Sequence, residues 1–266
     1  MKYLFSILMA CWGGTFLAAQ QWALIDSIQL DPNDLITDFD SDDFNNLYYV
    51  RNYSELVKID ADHQKRTQFS NRNLLEQLNV QNILQITLRS GLFNLLILDN
   101  HLNLIQDAIR FPIEGNFSPT LTALVDNNFL WGFDPVLQKL VLWNYQEQHI
   151  TRQSTLLSGK TQHGHFSHLF YQNNQIYLVS ADSILQFDEY AVLEKIYPIP
   201  KFDQITLKNH IFYYSAADKL FQFALADQST TALNLDRSLD FFSINLPYLF
   251  GSKAGVIYIY KILKSE

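Results

Sequence analysis

The sequence predicts an all-β fold built from six four-stranded blades, on three observations. The chain of 266 residues is 48% hydrophobic and 14% aromatic, with 20 Phe and 14 Tyr, a composition typical of extensive packed sheet. No segment after residue 20 shows a sustained helical period, and short apolar runs end in clusters of Asn, Asp, Gly or Ser. A five-residue strand pattern also recurs six times along the chain.

The recurring pattern has a large apolar residue in its fourth position. It begins at Leu56, Leu95, Leu140, Ile184, Leu220 and Ile257. The steps between these residues are 39, 45, 44, 36 and 37, near the roughly 40 to 50 residues of a propeller blade. A partner strand precedes each one, at Leu47–Val50, Leu84–Leu88, Phe129–Phe133, Ile176–Val179, Ile211–Tyr214 and Tyr248–Phe250. Six antiparallel hairpins with a further strand on each side predict a six-bladed β-propeller.

The two ends of the chain predict how the ring closes. The last repeat shows only three strands, whereas Trp22–Leu30 is a strand with no partner nearby in the sequence. Pairing this N-terminal strand with the last blade removes the open sheet edges. The expected blades are 34–72, 73–114, 115–158, 163–200, 201–236 and 238–264 with 21–31. A β-sandwich and a seven-bladed ring remain the alternatives.

Aromatic residues occupy equivalent strand positions in several repeats. We interpret them as the core between blades rather than as a carbohydrate platform. They are Trp131, Trp143, Phe187, Phe223 and Tyr260.

The N-terminus predicts export. Lys2, an apolar run and small residues ending at Ala19 have the order of a secretory signal peptide, so residues 1–19 are the expected signal and 20–266 a single domain. Leu8–Cys11 is the alternative, since it resembles a bacterial lipoprotein cleavage box that would leave a lipid on Cys11. Cleavage after Ala19 is favoured, and the mature chain then has no cysteine for disulfides or thiolate chemistry.

Charge limits the partners. The formal net charge of −8 argues against a nucleic-acid partner, because neutralising phosphates needs a basic surface. Contact with a membrane is expected only through a partner or through a lipid on Cys11.

Two clusters of side chains resemble metal-binding sites. His163 and His165 could share one ion, but His168 should point to the other strand face and no carboxylate is near in sequence. Asp38, Asp40 and Asp42 imitate the opening of a calcium loop that then lacks its glycine and its final glutamate. The sequence therefore predicts no metal site, with His163 and His165 as weak candidates, and no cofactor.

Catalytic patterns are missing from the sequence. It contains no G-x-S-x-G elbow and no glycine-rich phosphate loop. Carboxylates such as Asp134, Asp182 and Glu189 could still meet in space. We therefore assign no catalytic residue, and the sequence leaves enzymatic activity open while favouring a non-enzyme.

Several segments resemble a group of exported β-propeller proteins of Bacteroidota that carry no assigned activity. The resemblance lies in Phe69–Leu88, Leu95–Asn103, Asp43–Tyr49 and Asn128–Asp134. These motifs are structural strands and turns, and they depart from the group's pattern at Ile83, where the group has proline. The resemblance implies a propeller in the cell envelope and no particular chemistry.

The expected function is a non-catalytic protein-binding or scaffolding module, a subunit of an outer-membrane-associated complex. The expected location is the periplasm, the outer membrane or the cell surface. The alternatives are a propeller enzyme acting on glycans or peptides with acids at its central channel, and a ligand sensor with a closed apolar pocket.

Overall fold

The computed structural model describes residues 21–112, 117–161 and 165–263. These residues form six four-stranded antiparallel sheets arranged as the blades of a β-propeller. Each blade is a meander whose four strands follow one another in sequence, apart from the last blade. The six-bladed ring predicted from the repeat is confirmed, and the sandwich and seven-bladed alternatives are excluded.

The strands are numbered in chain order. Blade 1 is β2(Ile36–Ser41), β3(Leu47–Arg51), β4(Glu55–Ile59), β5(Arg66–Ser70); blade 2 is β6(Leu75–Asn79), β7(Ile86–Ser90), β8(Asn94–Leu98), β9(Ile109–Arg110); blade 3 is β10(Leu121–Leu124), β11(Phe129–Asp134), β12(Lys139–Asn144), β13(His149–Gln153). Blade 4 is β14(Phe166–Gln172), β15(Gln175–Ser180), β16(Ser183–Phe187), β17(Leu193–Pro198); blade 5 is β18(Gln204–Lys208), β19(Ile211–Ala216), β20(Lys219–Ala224), β21(Thr230–Leu233); blade 6 is β22(Phe241–Asn245), β23(Tyr248–Lys253), β24(Val256–Ile262) and β1(Trp22–Gln29).

The N-terminal strand closes the ring as predicted. β1 pairs antiparallel with β24, from Trp22 opposite Ile262 to Gln29 opposite Val256. The first strand in sequence is therefore the outer strand of the last blade, which holds the two ends of the domain together.

Six apolar cores lie between neighbouring blades, one at each junction. The five aromatic residues assigned to these cores are all less than 5% exposed, which confirms that prediction. Consecutive aromatics divide between two cores, since Tyr213 packs at the junction of blades 5 and 6 and Tyr214 at the junction of blades 4 and 5. The central strands are thus buried on both faces, which explains their continuous apolar sequence.

The predicted start of one strand lies too early in the sequence. The second strand of blade 2 begins at Ile86, two residues after the expected Leu84. Asn82 accepts a hydrogen bond from the Leu84 amide through its side chain at 3.0 Å and one from the Gln85 amide through its carbonyl at 2.9 Å. This turn leaves Leu84 exposed, because the side chain of Asn82 competes with the strand ladder.

The meander gives the disc two loop faces. Antiparallel strands reverse at alternate ends, so the loops between first and second strands and between third and fourth strands lie on one face. The loops between second and third strands, and those that join one blade to the next, lie on the other. We call these the acidic face and the arc face, for the features described below.

Candidate functional site

A channel of about 330 Å³ runs between the six innermost strands. Its wall is mixed, since polar side chains alternate with the apolar ones that point into the cores. The polar residues at the wall include Thr37, Asp38, Asp40, Gln77, Asn79, Thr122, Ser167, His168, Gln204, Thr206, Lys208 and Ser243. Titratable side chains from different blades lie together along this channel.

Two carboxylates of β2 line this channel. Asp38 accepts hydrogen bonds from the amides of Phe39 at 2.8 Å and Leu78 at 2.7 Å. The Leu78 amide faces β2 at a slip in the β6–β7 register between Glu76 and Asn79. Burial is the largest cause that raises the pKa of Asp38, to about 7.

Asp40 ties blade 1 to both neighbours. It accepts a hydrogen bond from the Val80 amide of blade 2 at 3.1 Å and one from the Ser243 hydroxyl of blade 6 at 2.8 Å. Burial raises its pKa, and Lys208 opposes that shift. All four oxygens of the two carboxylates are therefore engaged with the blades themselves.

The opposite wall is neutral. His168 of blade 4 stacks on Phe170 with ring centroids 5.9 Å apart, and its Nδ1 lies 2.9 Å from the Ser167 hydroxyl. Burial lowers the pKa of His168 to about 4, so the imidazole is uncharged at neutral pH. At the acidic face, Lys208 forms an ion pair with Asp43 across the end of blade 6.

The acidic face carries a large net negative charge. In the described residues its loops contain eleven carboxylates and one lysine, Lys65. Several of these carboxylates cap turns, as Asp99 does for the amides of His101 and Asn103, both at 2.8 Å. The eleven are Asp42, Asp43, Asp60, Asp62, Asp99, Asp107, Asp126, Glu147, Asp188, Glu189 and Asp227.

The other face carries a row of exposed apolar side chains. They lie in the loops of blades 1 to 3 and are between 45% and 84% exposed. We call this row the loop arc. It consists of Leu35, Tyr53, Leu74, Leu92, Val136 and Leu156.

Backbone hydrogen bonds join the first part of the arc into one surface. The Asn52 amide donates to the carbonyl of Leu35 at 2.9 Å, and the Leu75 amide donates to the carbonyl of Tyr53 at 2.7 Å. The Gly91 amide, next to Leu92, donates to the carbonyl of Leu74 at 2.8 Å.

A second set of contacts connects the arc loops of blade 2 to those of blade 3. The guanidinium of Arg89 donates to the carbonyl oxygens of Leu92 and Pro119. Asp134 then holds both the Ser118 amide at 2.6 Å and the Val136 amide at 2.8 Å. Exposed apolar side chains on neighbouring, linked loops are a feature of interaction sites.

The predicted metal candidates are only partly described. His165 is exposed and directly precedes β14, whereas His163 lies outside the described residues, as do Cys11 and the expected signal peptide. Within the part of the chain that the structure describes, no three His, Cys, Asp or Glu side chains lie close enough to share a metal ion. The absence of a metal site remains a prediction.

The three carboxylates considered for catalysis do not meet. Asp134 and Asp182 belong to turns of blades 3 and 4 on the arc face, whereas Glu189 lies in a turn on the acidic face. The calcium-like run forms a strand and a turn, because Asp42 accepts hydrogen bonds from the amides of Phe44 and Asn46, both at 2.9 Å. The channel carboxylates are instead Asp38 and Asp40 of the same strand.

Sequence reasoning missed the loop arc. Four of its members directly follow a residue typical of turns, in Asp34-Leu35, Asn52-Tyr53, Asn73-Leu74 and Gly91-Leu92. A large apolar residue after a turn former is the signal that would have found them. Strand patterns alone do not contain it.

Comparisons with known proteins show the fold. No protein-family model and no curated protein matches the sequence. Among solved structures, BamB from Moraxella catarrhalis has a TM-score of 0.52 at 10% identity, over 91% of this chain and 100% of that chain. Virginiamycin B lyase from Staphylococcus aureus has a TM-score of 0.62 at 8% identity, over 91% and 100%. The Swd1 propeller domain from Myceliophteria thermophila has a TM-score of 0.58 at 13% identity, over 86% and 83%.

These structural neighbours do not identify the function of this protein. One of them is a lyase, and identities this low carry the fold and no more. No helix in the described ranges is long and apolar enough to cross a membrane.

Proposed function

We propose that this protein is a non-catalytic protein-binding module of the bacterial cell envelope, a subunit of an outer-membrane-associated complex, whose loop arc docks the partner. The loop arc carries the proposal, because its six exposed apolar side chains come from neighbouring loops of blades 1 to 3 that backbone hydrogen bonds link. Exposed apolar side chains of the acidic face, such as Phe44 and Tyr190, lie instead among its eleven carboxylates. The rigid ring holds these loops in fixed positions. The envelope location rests on the N-terminal sequence pattern.

Blade 2 offers a matched pair of variants for the test. Leu92 is 74% exposed on the arc face, and Leu84 is 68% exposed on the acidic face of the same blade. The tagged full-length protein would be purified from gently solubilised envelopes of its native host as wild type, Leu92→Asp and Leu84→Asp. We expect a stoichiometric partner with wild type and Leu84→Asp, and its loss with Leu92→Asp.

Equal recovery with both variants, or recovery of a monomer by wild type, would contradict the proposal. The intact mass of the recovered chain gives its first residue. A start at Gln20 agrees with signal cleavage, and a lipid-bearing Cys11 agrees with a lipoprotein.

A ligand-binding or catalytic channel is the second candidate, and the raised pKa values of Asp38 and Asp40 favour it. The engagement of all four oxygens with strand amides and a hydroxyl argues for a structural role instead. Glycan and peptide substrates would be screened with wild type and Asp38→Asn. Turnover that is lost in a folded Asp38→Asn protein would establish an enzyme, and no turnover by wild type would exclude one for those substrates.

A further inference from the structure

Arg89 is a buried cation beneath the loop arc. It belongs to β7, is 6% exposed and lies over the Phe111 ring with its guanidinium carbon 5.3 Å from the ring centroid. Its Nη2 donates to the carbonyl of Leu92 and to that of Pro119, the latter at 2.8 Å. Its Nη1 is buried and has no hydrogen-bond partner.

No carboxylate among the described residues forms an ion pair with Arg89, although Glu76 lies opposite it in the β6–β7 strand pair and acts on its pKa from a longer distance. Burial lowers its pKa, but a guanidinium keeps its proton at every physiological pH. Arg51, in the neighbouring blade, shows the usual arrangement, since it pairs with Asp34 at 3.2 Å and Glu55 at 2.6 Å. An unpaired buried charge is unfavourable, so a carboxylate that reached Nη1 would be bound strongly.

The described loops around Arg89 are poor in acids. Loops 52–54, 71–74, 91–93, 117–120, 135–138 and 154–157 contain no carboxylate, whereas loop 30–35, which carries Leu35, contains Asp31 and Asp34, the latter paired with Arg51. Arg72 is exposed within the arc, two residues before Leu74. An anionic partner is therefore repelled by the acidic face and accepted by the arc.

We propose that the loop arc binds an apolar segment of a protein partner that carries a carboxylate, and that this carboxylate pairs with Nη1 of Arg89. This inference rests on the proposed docking role of the arc. The carbonyl of Leu92, at the tip of a short turn, accepts a hydrogen bond from the guanidinium, and Gly91 supplies the left-handed conformation of that turn with φ of 61°. Opening of this turn admits the carboxylate, and Arg72 is the second cationic contact.

Synthetic peptides provide the first test. Acetyl-Leu-Leu-Glu-Leu-Leu-amide and its Gln and Lys counterparts would be titrated into the folded protein by isothermal titration calorimetry. We expect the Glu peptide to bind at least about ten-fold tighter than the other two, a difference of about 1.4 kcal/mol. Arg72→Glu and Arg89→Gln should abolish this preference, Arg89→Lys should restore part of it, and Leu84→Asp should leave it unchanged.

The outcomes separate this inference from the docking role. Equal binding of the three peptides, tighter binding of the Lys peptide, or no binding of the Glu peptide at about 1 mM, the limit of weak affinity, would overturn it. Binding to phosphatidylglycerol vesicles that depends on Arg72, with no peptide preference, would overturn it in favour of a lipid surface. If Arg89→Gln does not fold, Arg72→Glu decides.

Partner recovery from envelopes gives an independent reading. Loss of the partner with Arg72→Glu supports the carboxylate contact. Loss with Leu92→Asp but full recovery with Arg72→Glu and with folded Arg89→Gln would keep the docking role and reject the carboxylate.

Discussion

The two loop faces of the disc differ in charge although the same six blades build both. The acidic face has eleven carboxylates and one lysine in its loops, whereas the described loops of the arc face have seven carboxylates and four basic residues. Exposed apolar side chains occupy loop tips on both faces, such as Phe44 and Tyr190 on the acidic face and Leu92 and Val136 on the arc face, so the faces differ in their carboxylates. The chemistry of each face is thus set by its loops rather than by the fold.

The largest effect is expected where a buried turn cap shapes the arc. Asp134 is 1% exposed and holds the amides of Ser118, Val136 and Leu137. Asp134→Ala should lower the free energy of unfolding by about 3 kcal/mol, because three amides lose one buried, charged acceptor. Chemical denaturation measures this loss.

Asp126 is the matched control in the same blade. It is exposed on the acidic face and caps the amides of Asn128 and Phe129. Asp126→Ala should cost about 1 kcal/mol, since water replaces the lost bonds. Equal losses in the free energy of unfolding for the two variants would show that turn caps on the two faces contribute equally to stability.

A slightly smaller effect is expected from a methyl group placed under the arc. A Cβ on Gly132 would lie 2.6 Å from Phe117 and 2.9 Å from Pro119, so Gly132→Ala should shift the loop that holds Arg89. We expect a loss of about 2 kcal/mol, as for overpacked cores, together with loss of partner recovery.

Gly251→Ala is the control that separates loss of stability from loss of partner recovery. Its Cβ would meet only the flexible side chain of Leu239, away from the arc. This variant should lose stability but keep the partner, and loss of the partner there would show that stability alone controls docking.

The channel between the faces predicts a pH dependence. The pKa of Asp38 is about 7 in the folded state against 3.8 as its ordinary value, so the folded state holds the extra proton between these pH values. The contribution of Asp38 to stability is therefore fully present below about pH 4 and is lost as the pH rises through about 7.

His168 acts in the opposite direction, because its lowered pKa of about 4 costs stability as the pH falls below 6.5. Thermal unfolding of wild type and Asp38→Asn across this pH range isolates the carboxylate by difference. A constant difference between the two proteins would show that Asp38 does not titrate there.

The smallest effect concerns the charge of the acidic face. Neutralising Asp62, Asp107 and Glu189 should change stability by no more than about 0.5 kcal/mol. It should also reduce the gain in melting temperature between about 0.01 M and 1 M salt, where the Debye length falls from about 30 Å to about 3 Å.

Asp31→Asn with Asp218→Asn on the arc face is the control for this charge effect. An identical salt response in the two sets of variants would indicate that the acidic face carries no special repulsion.

The candidate site was predictable only in part. Asp38 and Asp40 stood out in the sequence as a charged strand, but their position at the axis depends on the inner strand of a closed ring. The unpaired state of Arg89 is invisible in sequence, because carboxylates such as Glu76 are near along the chain and the fold leaves none on Nη1. Charge pairing depends on side-chain direction, which the strand register sets.

The sequence by itself determined the number of blades, the closing strand and the aromatic cores. Strand period and turn residues are local signals, and a repeat multiplies them six times. Only the tertiary structure decided that Leu35, Tyr53, Leu74 and Leu92 form one surface. These residues come from separate loops, and their adjacency follows from how the blades pack rather than from anything that neighbouring residues encode.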